Sequence, residues 1–134
     1  MALLEAVQNG VVDCISSHHM PQDWDGKTIE FENAKSGMSS IETCYAAVQE
    51  KIPSLSSDKI AALFSINARN IFGLADATIK EGNVAELTMY NNTLITKMSM
   101  KDSKSKSANS PFWDIELKGK VVGTLVKGKL NQNS

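Results

Sequence analysis

The 134-residue sequence is poor in cysteine, histidine and proline, with two, two and three of these residues. Two cysteines are too few for a disulfide framework, and both lie in apolar stretches, so we expect buried, reduced thiols. No apolar run approaches the roughly 18 residues of a membrane span. The N-terminus lacks the basic and apolar regions of a signal peptide. These absences make the cytoplasm the expected compartment.

The sequence also has little net charge, with 14 basic residues, 15 acidic residues and a formal charge of −1. No overall field therefore attracts nucleic acid or an anionic membrane, and we expect neither as a partner. The lysines gather near the C-terminus in KDSKSKS and KGKVVGTLVKGK. Such short runs indicate a solvated loop and the exposed face of a hairpin.

The first part of the chain has helical and strand-like patterns. A helix is predicted over residues 2–8, ended by Asn9-Gly10. The β-branched run 11–15 then predicts a short buried strand, and a short helix is predicted over 29–35. A helix, a tight turn and a buried strand are typical of a parallel α/β sheet. Chemistry in such sheets collects where the strands end.

Two further helices are predicted downstream. Ser39 or Ser40 is expected to cap the first, which Pro53 closes. The stretch Ser56-Ser57-Asp58 offers a cap for the second, which ends at Gly73.

The last third of the chain is β-like. Alternation over 85–90 predicts a strand, and residues 121–129 predict a hairpin. The polar run 101–110 between them is expected to be disordered. We therefore divide the chain into an αβ part, residues 1–74, and a β part, residues 75–134.

The stretch DCISSHHMPQDWD places His18 and His19 directly after the predicted strand. Adjacent residues of a strand point to opposite faces, so the two rings cannot grip one ion unless the chain has left the strand. A metal site needs three or four ligands as a rule. The nearby acids that could join them are Asp13, Asp23 and Asp25. We expect no self-contained metal site; the rim of a larger site and a hydrogen-bonded polar loop both stay open.

Other catalytic motifs do not occur, since the sequence contains no GxSxG, no Walker loop and no GxGxxG. Ser16, Ser17 and His18 are neighbours, but a nucleophile and its base must converge in space, which adjacency does not show. The residues by themselves therefore name no reaction.

Four segments follow one another along the chain: VDCISSHHMPQ, AKSGMSSIETCYAAV, LFSINARNIFGLADATIKEGNVAELTMYN and KSKSANSPFWDIELKGKVVGTLVKGKL. Together and in this order they resemble the C-terminal part of the dihydroorotases, members of the amidohydrolase superfamily. They are similar to the family's last barrel strand and loop, its G-x-x-G-x-E-T region, its helix opening into the small β domain, and its closing hairpin. The order and spacing hold across nearly the whole chain.

The resemblance implies an α/β fold: the C-terminal fragment of a (β/α)8 amidohydrolase barrel, joined to part of a small β-sandwich domain. Residues 1–74 would hold the last strand, the active-site loop and the helices that follow. A complete barrel takes roughly 250 residues, so the first seven strands would lie outside this chain. The family's main zinc-holding groups would lie there too. We therefore expect zinc in the full-length parent and none bound by this chain alone.

The resemblance also assigns candidate site residues. His18 stands at the family's last-strand Asp position, which makes it the candidate catalytic residue and, in the parent, a metal ligand candidate. His19, Gln22, Ser36 and Gly37 stand at substrate-binding positions. Gln22 replaces a histidine that contacts the substrate carboxylate in the family.

The implied reaction of the parent is the reversible hydrolysis of dihydroorotate to N-carbamoyl-aspartate in pyrimidine biosynthesis. The isolated chain is expected to be inactive and to self-associate or pair with the missing barrel portion. The departures at His18 and Gln22 leave an alternative open, a non-catalytic scaffold that partners aspartate transcarbamoylase. Another amidohydrolase, such as a hydantoinase or allantoinase relative, is the third reading, because these share the small β domain.

Overall fold

The computed structural model describes residues 2–107 and 109–132, which form a mixed α/β structure. Its helical elements are α1 (Ala2–Gln8), α2 (Cys44–Lys51), α3 (Ser57–Ala61), a π-helical segment (Ala62–Ile66) and α4 (Asn67–Phe72). Its strands are β1 (Leu87–Lys97), β2 (Glu116–Val126) and β3 (Lys129–Gln132). In this part of the chain, no helix is long and apolar enough to span a bilayer.

Helix α2 begins later than predicted. Thr43 occupies its N-cap without a side-chain cap bond, so the prediction of a cap by Ser39 or Ser40 is wrong. The Ser40 hydroxyl instead donates to the Ser17 carbonyl at 2.7 Å. The Ser40 carbonyl accepts from the amides of Thr43 and Cys44, which makes a turn before the helix. The Ser40 hydroxyl, which the sequence suggested as a cap for α2, therefore bonds the distant residue Ser17 instead.

The second predicted helix is confirmed at both ends but is irregular between them. The Ser56 hydroxyl accepts a backbone N–H at 3.3 Å and caps α3. Gly73 ends α4 with a φ of 63°, a left-handed conformation that glycine adopts without strain. The π-helical segment lies between, and there the carbonyl of Leu63 accepts from the Ile15 amide at 3.0 Å. Such π turns are frequent near functional sites.

Residues 11–15 form no strand, so this prediction is wrong. The Ile15 amide donates to the helical carbonyl of Leu63 and not to a neighbouring strand. A strand needs a partner ladder for its N–H and C=O groups, and the described residues provide none here. The closest feature is an isolated parallel bridge between His19 and Met38.

The predicted helix over 29–35 is also absent, and turns replace it. The amide of Thr28 donates to the Trp24 carbonyl at 3.0 Å. The amide of Lys35 returns to the Gly26 carbonyl at 2.9 Å, which closes the loop on itself. In a regular helix the Lys35 amide would bond the carbonyl of residue 31, so its bond to Gly26 is incompatible with the predicted helix.

The three strands form one antiparallel sheet in the order β1-β2-β3. The β1–β2 ladder shifts register at Tyr90 and again between Asn91 and Ile95. The predicted hairpin is confirmed: Lys127 and Gly128 join β2 to β3 with φ values of 48° and 75°. Two positive φ values are typical of a type I′ turn, whose twist matches that of paired strands.

The core consists of two apolar clusters that meet at α2. The first holds Val7, Ile52, Leu55, Ile60 and Leu63, with Val12, Ile15, Tyr45, Val48 and Phe64 packed against it. The second packs Ala46 and Ala47 against Leu117 of β2, with Phe112 beside them. Small alanines on one face of α2 let the sheet approach closely, so this helix links the helical part to the sheet.

Candidate functional site

Two loops bring most of the candidate residues together; we call residues 16–22 the histidine loop and residues 36–41 the glycine loop. The Met20 amide donates to the Met38 carbonyl at 3.1 Å, beside the bridge between His19 and Met38. The side-chain nitrogen of Gln22 lies 3.4 Å from the point where a Cβ on Gly37 would stand. The loops therefore lie side by side, although they are far apart in sequence.

His19 is half-buried and joins the two loops through its ring. Its Nδ1 accepts from the Ser40 amide at 3.1 Å and from the Ile41 amide at 3.2 Å. Ser40 is buried, so its amide depends on protein acceptors. The ring thus satisfies backbone donors in the turn before α2.

His18 lies in a different environment from its neighbour. It is exposed, and its φ of 46° places it in the left-handed region. Its amide donates to the Ser16 hydroxyl at 3.3 Å. The chain has therefore left any strand conformation at this point. Histidine, asparagine and aspartate are the non-glycine residues that tolerate this region best.

Gly37 is required by its surroundings. Its φ is 116°, and a Cβ there would lie 2.5 Å from the carbonyl oxygen of Met20. No side chain fits at that distance, so the close approach of the two loops depends on a glycine. The neighbouring Ser36 is exposed, and no hydrogen bond of its side chain is found among the described residues.

The polar segment 101–110 packs against both loops, so the expectation of disorder is wrong for its described residues. The Ser107 hydroxyl donates to the Gln22 carbonyl at 2.6 Å. The Asn109 side chain donates to the Gly37 carbonyl at 2.9 Å. The backbone carbonyl of Asn109 accepts from the Ser39 amide at 2.7 Å. The segment therefore holds the candidate substrate loops from one side.

Glu42 anchors the other end of this segment. Its carboxylate accepts from the Ser103 hydroxyl and from the Lys104 amide at 2.9 Å. Between the anchors, the hydroxyls of Ser103, Ser105 and Ser107 each accept the amide two residues on. The alternating serines were the signal for this order, because such hydroxyls make local turns with the backbone.

The residues of the site do not fit a zinc ion by themselves. Within the described ranges, no three His, Cys, Asp or Glu side chains are grouped to hold a metal. The Nδ1 atom of His19 is already occupied by two backbone donors. A metal at these loops would need most of its ligands from elsewhere.

The two cysteines are free, and both are half-buried rather than fully buried. Burial raises the pKa of the Cys44 thiol. A raised pKa favours the protonated thiol over the reactive thiolate. The absence of a disulfide between these two cysteines agrees with the expected reduced state.

No family model matches the sequence, whereas individual curated proteins do. A dihydroorotase of Aquifex aeolicus is 32% identical over 133 residues, covering 97% of this chain and 31% of the relative. A dihydroorotase of Geobacter metallireducens is 33% identical over 135 residues, covering 96% of this chain and 31% of the relative. The chain thus spans about a third of the length of these relatives.

Solved structures show the same fold. The D-hydantoinase (dihydropyrimidinase) of Thermus sp. matches 96% of this chain with a TM-score of 0.83 and 24% identity. The L-hydantoinase of Arthrobacter aurescens matches 96% of it with a TM-score of 0.80 and 23% identity. In both cases the match covers 30% of the solved chain. The four sequence segments, the curated relatives and the fold agree: over nearly its whole length the chain is similar to about a third of the dihydroorotases it matches, and it shares the fold of the hydantoinases over that part.

Proposed function

We propose that this chain supplies part of the substrate pocket of a dihydroorotase-like amidohydrolase. The proposed reaction is the interconversion of dihydroorotate and N-carbamoyl-aspartate in cytoplasmic pyrimidine biosynthesis. The observation that carries the proposal is the junction of the histidine and glycine loops. Positions that the family resemblance assigns to substrate, including Gln22 and Gly37, lie next to each other there. Two dihydroorotases that match nearly the whole chain support the choice of substrate.

In this proposal, residues 1–74 correspond to the last strand segment of the barrel and its helices, and residues 75–134 to part of the small β domain. The division agrees with the element order, since all helices precede residue 74 and all strands of the sheet follow it in the described part of the chain. Large apolar side chains on α1, on α4 and in the segment just after α1 are exposed. They are Leu3 at 74%, Val11 at 72% and Phe72 at 71%. Such surface is typical of a contact with further protein.

The proposed role of His18 is proton transfer. Hydrolysis of the cyclic amide places a hydroxyl on the carbonyl carbon and a proton on the departing nitrogen. The His18 ring is exposed, and histidine is the side chain that most often serves as a general acid or base in enzymes. Gln22 and the Gly37 backbone would hold the substrate beside it. Zinc would be held by residues outside this chain, because the described residues do not group enough ligands.

A chimera tests the proposal. The matched third of the Aquifex aeolicus dihydroorotase is replaced by this chain, and turnover of dihydroorotate is measured. We expect the chimera to be weakly active, because His18 stands where the family has Asp. General acid–base catalysis contributes roughly 100-fold or more, so His18→Asp should raise kcat at least about tenfold. His18→Asn is the matched control, because it has the shape of Asp without the charge. A folded chimera that hydrolyses hydantoin or allantoin but not dihydroorotate would replace the proposed substrate with one of these.

The second candidate is a non-catalytic scaffold that partners aspartate transcarbamoylase. A histidine at the family's Asp position and Gln22 at a histidine position favour it. If this reading holds, His18→Asp leaves the chimera inactive although it folds. The parent protein would then co-purify with aspartate transcarbamoylase, which is not expected of a self-sufficient enzyme.

A further inference from the structure

We propose that His19 is a positioning residue with a fixed tautomer, which excludes it from metal binding and presents its Nε2–H as a donor to a substrate oxygen. The carrying observation is the convergence of the Ser40 and Ile41 amides on its Nδ1, at 3.1 and 3.2 Å. Donation to a substrate oxygen rests on the proposed function, whereas the tautomer and the exclusion of metal binding do not.

The tautomer follows from the two donors. A neutral imidazole has one protonated and one unprotonated nitrogen. Two N–H groups can share Nδ1 only if it keeps its lone pair, so the proton lies on Nε2. Turning the ring over would aim a C–H at both amides and leave the buried Ser40 donor without a partner, which costs free energy. The ring orientation is therefore determined by the backbone around it.

This tautomer limits what His19 can do. A metal ion needs an imidazole lone pair, and so does a general base. The Nδ1 lone pair is used by the backbone, and Nε2 carries the proton. The remaining function is that of a hydrogen-bond donor through Nε2–H. No partner for this atom is found in the part of the chain that the structure describes. Its natural acceptors are carboxylate and carbonyl oxygens, which both dihydroorotate and N-carbamoyl-aspartate carry.

His19 also positions the loops. Its ring links the histidine loop to the turn before α2, and the Ser40 hydroxyl makes a second link to the Ser17 carbonyl at 2.7 Å. The nearest carboxylate in sequence beyond this turn, Glu42, is engaged by the Ser103 hydroxyl and the Lys104 amide. Backbone amides therefore hold the ring, and Glu42 is committed to another segment.

Nitrogen-15 NMR of the whole 134-residue chain tests the tautomer directly. Long-range proton–nitrogen correlations should place the His19 proton on Nε2. Added zinc should leave the His19 nitrogens unmoved. A proton on Nδ1, or a zinc-dependent shift of either His19 nitrogen, would overturn the proposal without touching the proposed reaction.

Two variants separate positioning from donation. His19→Asn keeps an acceptor near the Nδ1 position and loses the outer donor, whereas His19→Gln keeps an outer N–H and loses the inner acceptor. Hydrogen exchange of the Ser40 and Ile41 amides should stay within about twofold of wild type in His19→Asn and accelerate roughly tenfold or more in His19→Gln. Equal exchange in the two variants would contradict the positioning role.

N-carbamoyl-aspartate is the probe for the donor. Its Kd, read from amide shifts of the glycine loop, should rise roughly tenfold or more in His19→Asn, because the outer N–H is missing. An unchanged Kd in this variant would overturn the donor role. If the wild-type chain does not bind N-carbamoyl-aspartate, both the donor role and substrate binding by these loops are wrong. The tautomer measured by NMR still tests separately whether His19 is excluded from metal binding.

Discussion

The side chain of Asn67, the first residue of α4, donates to the carbonyl oxygen of Asp13 at 2.8 Å. A few residues on, the Ile15 amide donates to the Leu63 carbonyl in the π-helical segment. The chain that leads to His18 is therefore held to the helices at two points. These two bonds fix the segment in place, as hydrogen bonds to a neighbouring strand would in a sheet.

Removal of the Asn67 side chain should loosen this connection. Asn67→Ala is expected to lower the free energy of unfolding by about 1 kcal/mol, because one hydrogen bond is lost while water reaches the exposed Asp13 carbonyl. Urea denaturation measures the change. Asn70→Ala, at an exposed position of the same helix, is the control and should stay within about 0.5 kcal/mol of wild type. Equal losses in the two variants would mean that helix propensity, not the contact, is responsible.

Replacement of Gly37 should separate the two candidate loops. A Cβ would lie 2.5 Å from the Met20 carbonyl oxygen, at a φ of 116° that side chains rarely adopt. Gly37→Ala is expected to cost about 2 kcal/mol or more. Gly10→Ala is the matched control, because its φ is also positive but nothing lies within 4 Å of the added atom. It should cost only about 1 kcal/mol, and thermal unfolding of both variants gives the steric part by difference.

His18 should tolerate the family residue but not a β-branched one. Its left-handed φ of 46° favours Asn, Asp and His among the side chains. His18→Asp and His18→Asn are therefore expected within about 0.5 kcal/mol of wild type, and His18→Val should lose about 1–3 kcal/mol. Urea denaturation at neutral pH distinguishes them. A stable His18→Val variant would show that this turn has another conformation in solution.

Tyr90 should make the fold sensitive to alkaline pH. Burial raises its pKa to about 12, and Tyr45 beside it acts in the same direction. An unfolded tyrosine has a pKa of about 10, so the folded state holds the proton more tightly. The stabilisation is complete below about pH 10 and is lost as the pH rises to about 12.

The measurement is urea denaturation of wild type and Tyr90→Phe between pH 9 and 12, conditions chosen to bracket both pKa values. Wild type should lose stability faster than the variant by less than about 1.4 kcal/mol per pH unit, since the side chain is only half-buried. Lysine titration is common to both proteins and cancels in the difference. Parallel pH curves would show that Tyr90 does not contribute.

The isolated chain should not retain zinc. No three suitable side chains are grouped in the described residues, and a stable site needs three or four ligands. After incubation with zinc and dialysis, elemental analysis should find well under one zinc per chain, and dihydroorotate should not be turned over. One zinc per chain, abolished by His18→Ala, would contradict this expectation and identify His18 as a ligand.

Local sequence signals predicted several elements well, and each of these depends on neighbours in the chain. Helix α1 ends where Asn9-Gly10 predicts, because glycine at a φ of 73° stops a helix without help from elsewhere. A cap within Ser56-Ser57-Asp58 and a hairpin turn near Gly128 were predicted for the same reason, and Ser56 and Lys127-Gly128 form them. In all three cases the decisive contacts lie within four residues.

Three of the failed predictions concern groups with distant partners; the fourth, the helix over 29–35, is replaced by local turns. Residues 11–15 have strand composition, but their partner is the π-helical segment, about fifty residues away. Ser40 is a good capping residue, but its hydroxyl is used by Ser17. The segment 101–110 is polar enough for disorder, yet Gln22, Gly37 and Glu42 order it. Composition alone does not reveal such long-range acceptors.

By itself, the sequence determined the resemblance to the dihydroorotases, the caps and turns formed by neighbouring residues, and the residue types available at the candidate site, because these depend on residue identity and short spacing. Only the tertiary structure decided that the two loops meet, that the polar segment holds them, and that two backbone amides use the inner nitrogen of His19. The physical reason is that a buried donor or acceptor takes whichever partner the folded chain brings within reach. That partner can lie anywhere in the sequence.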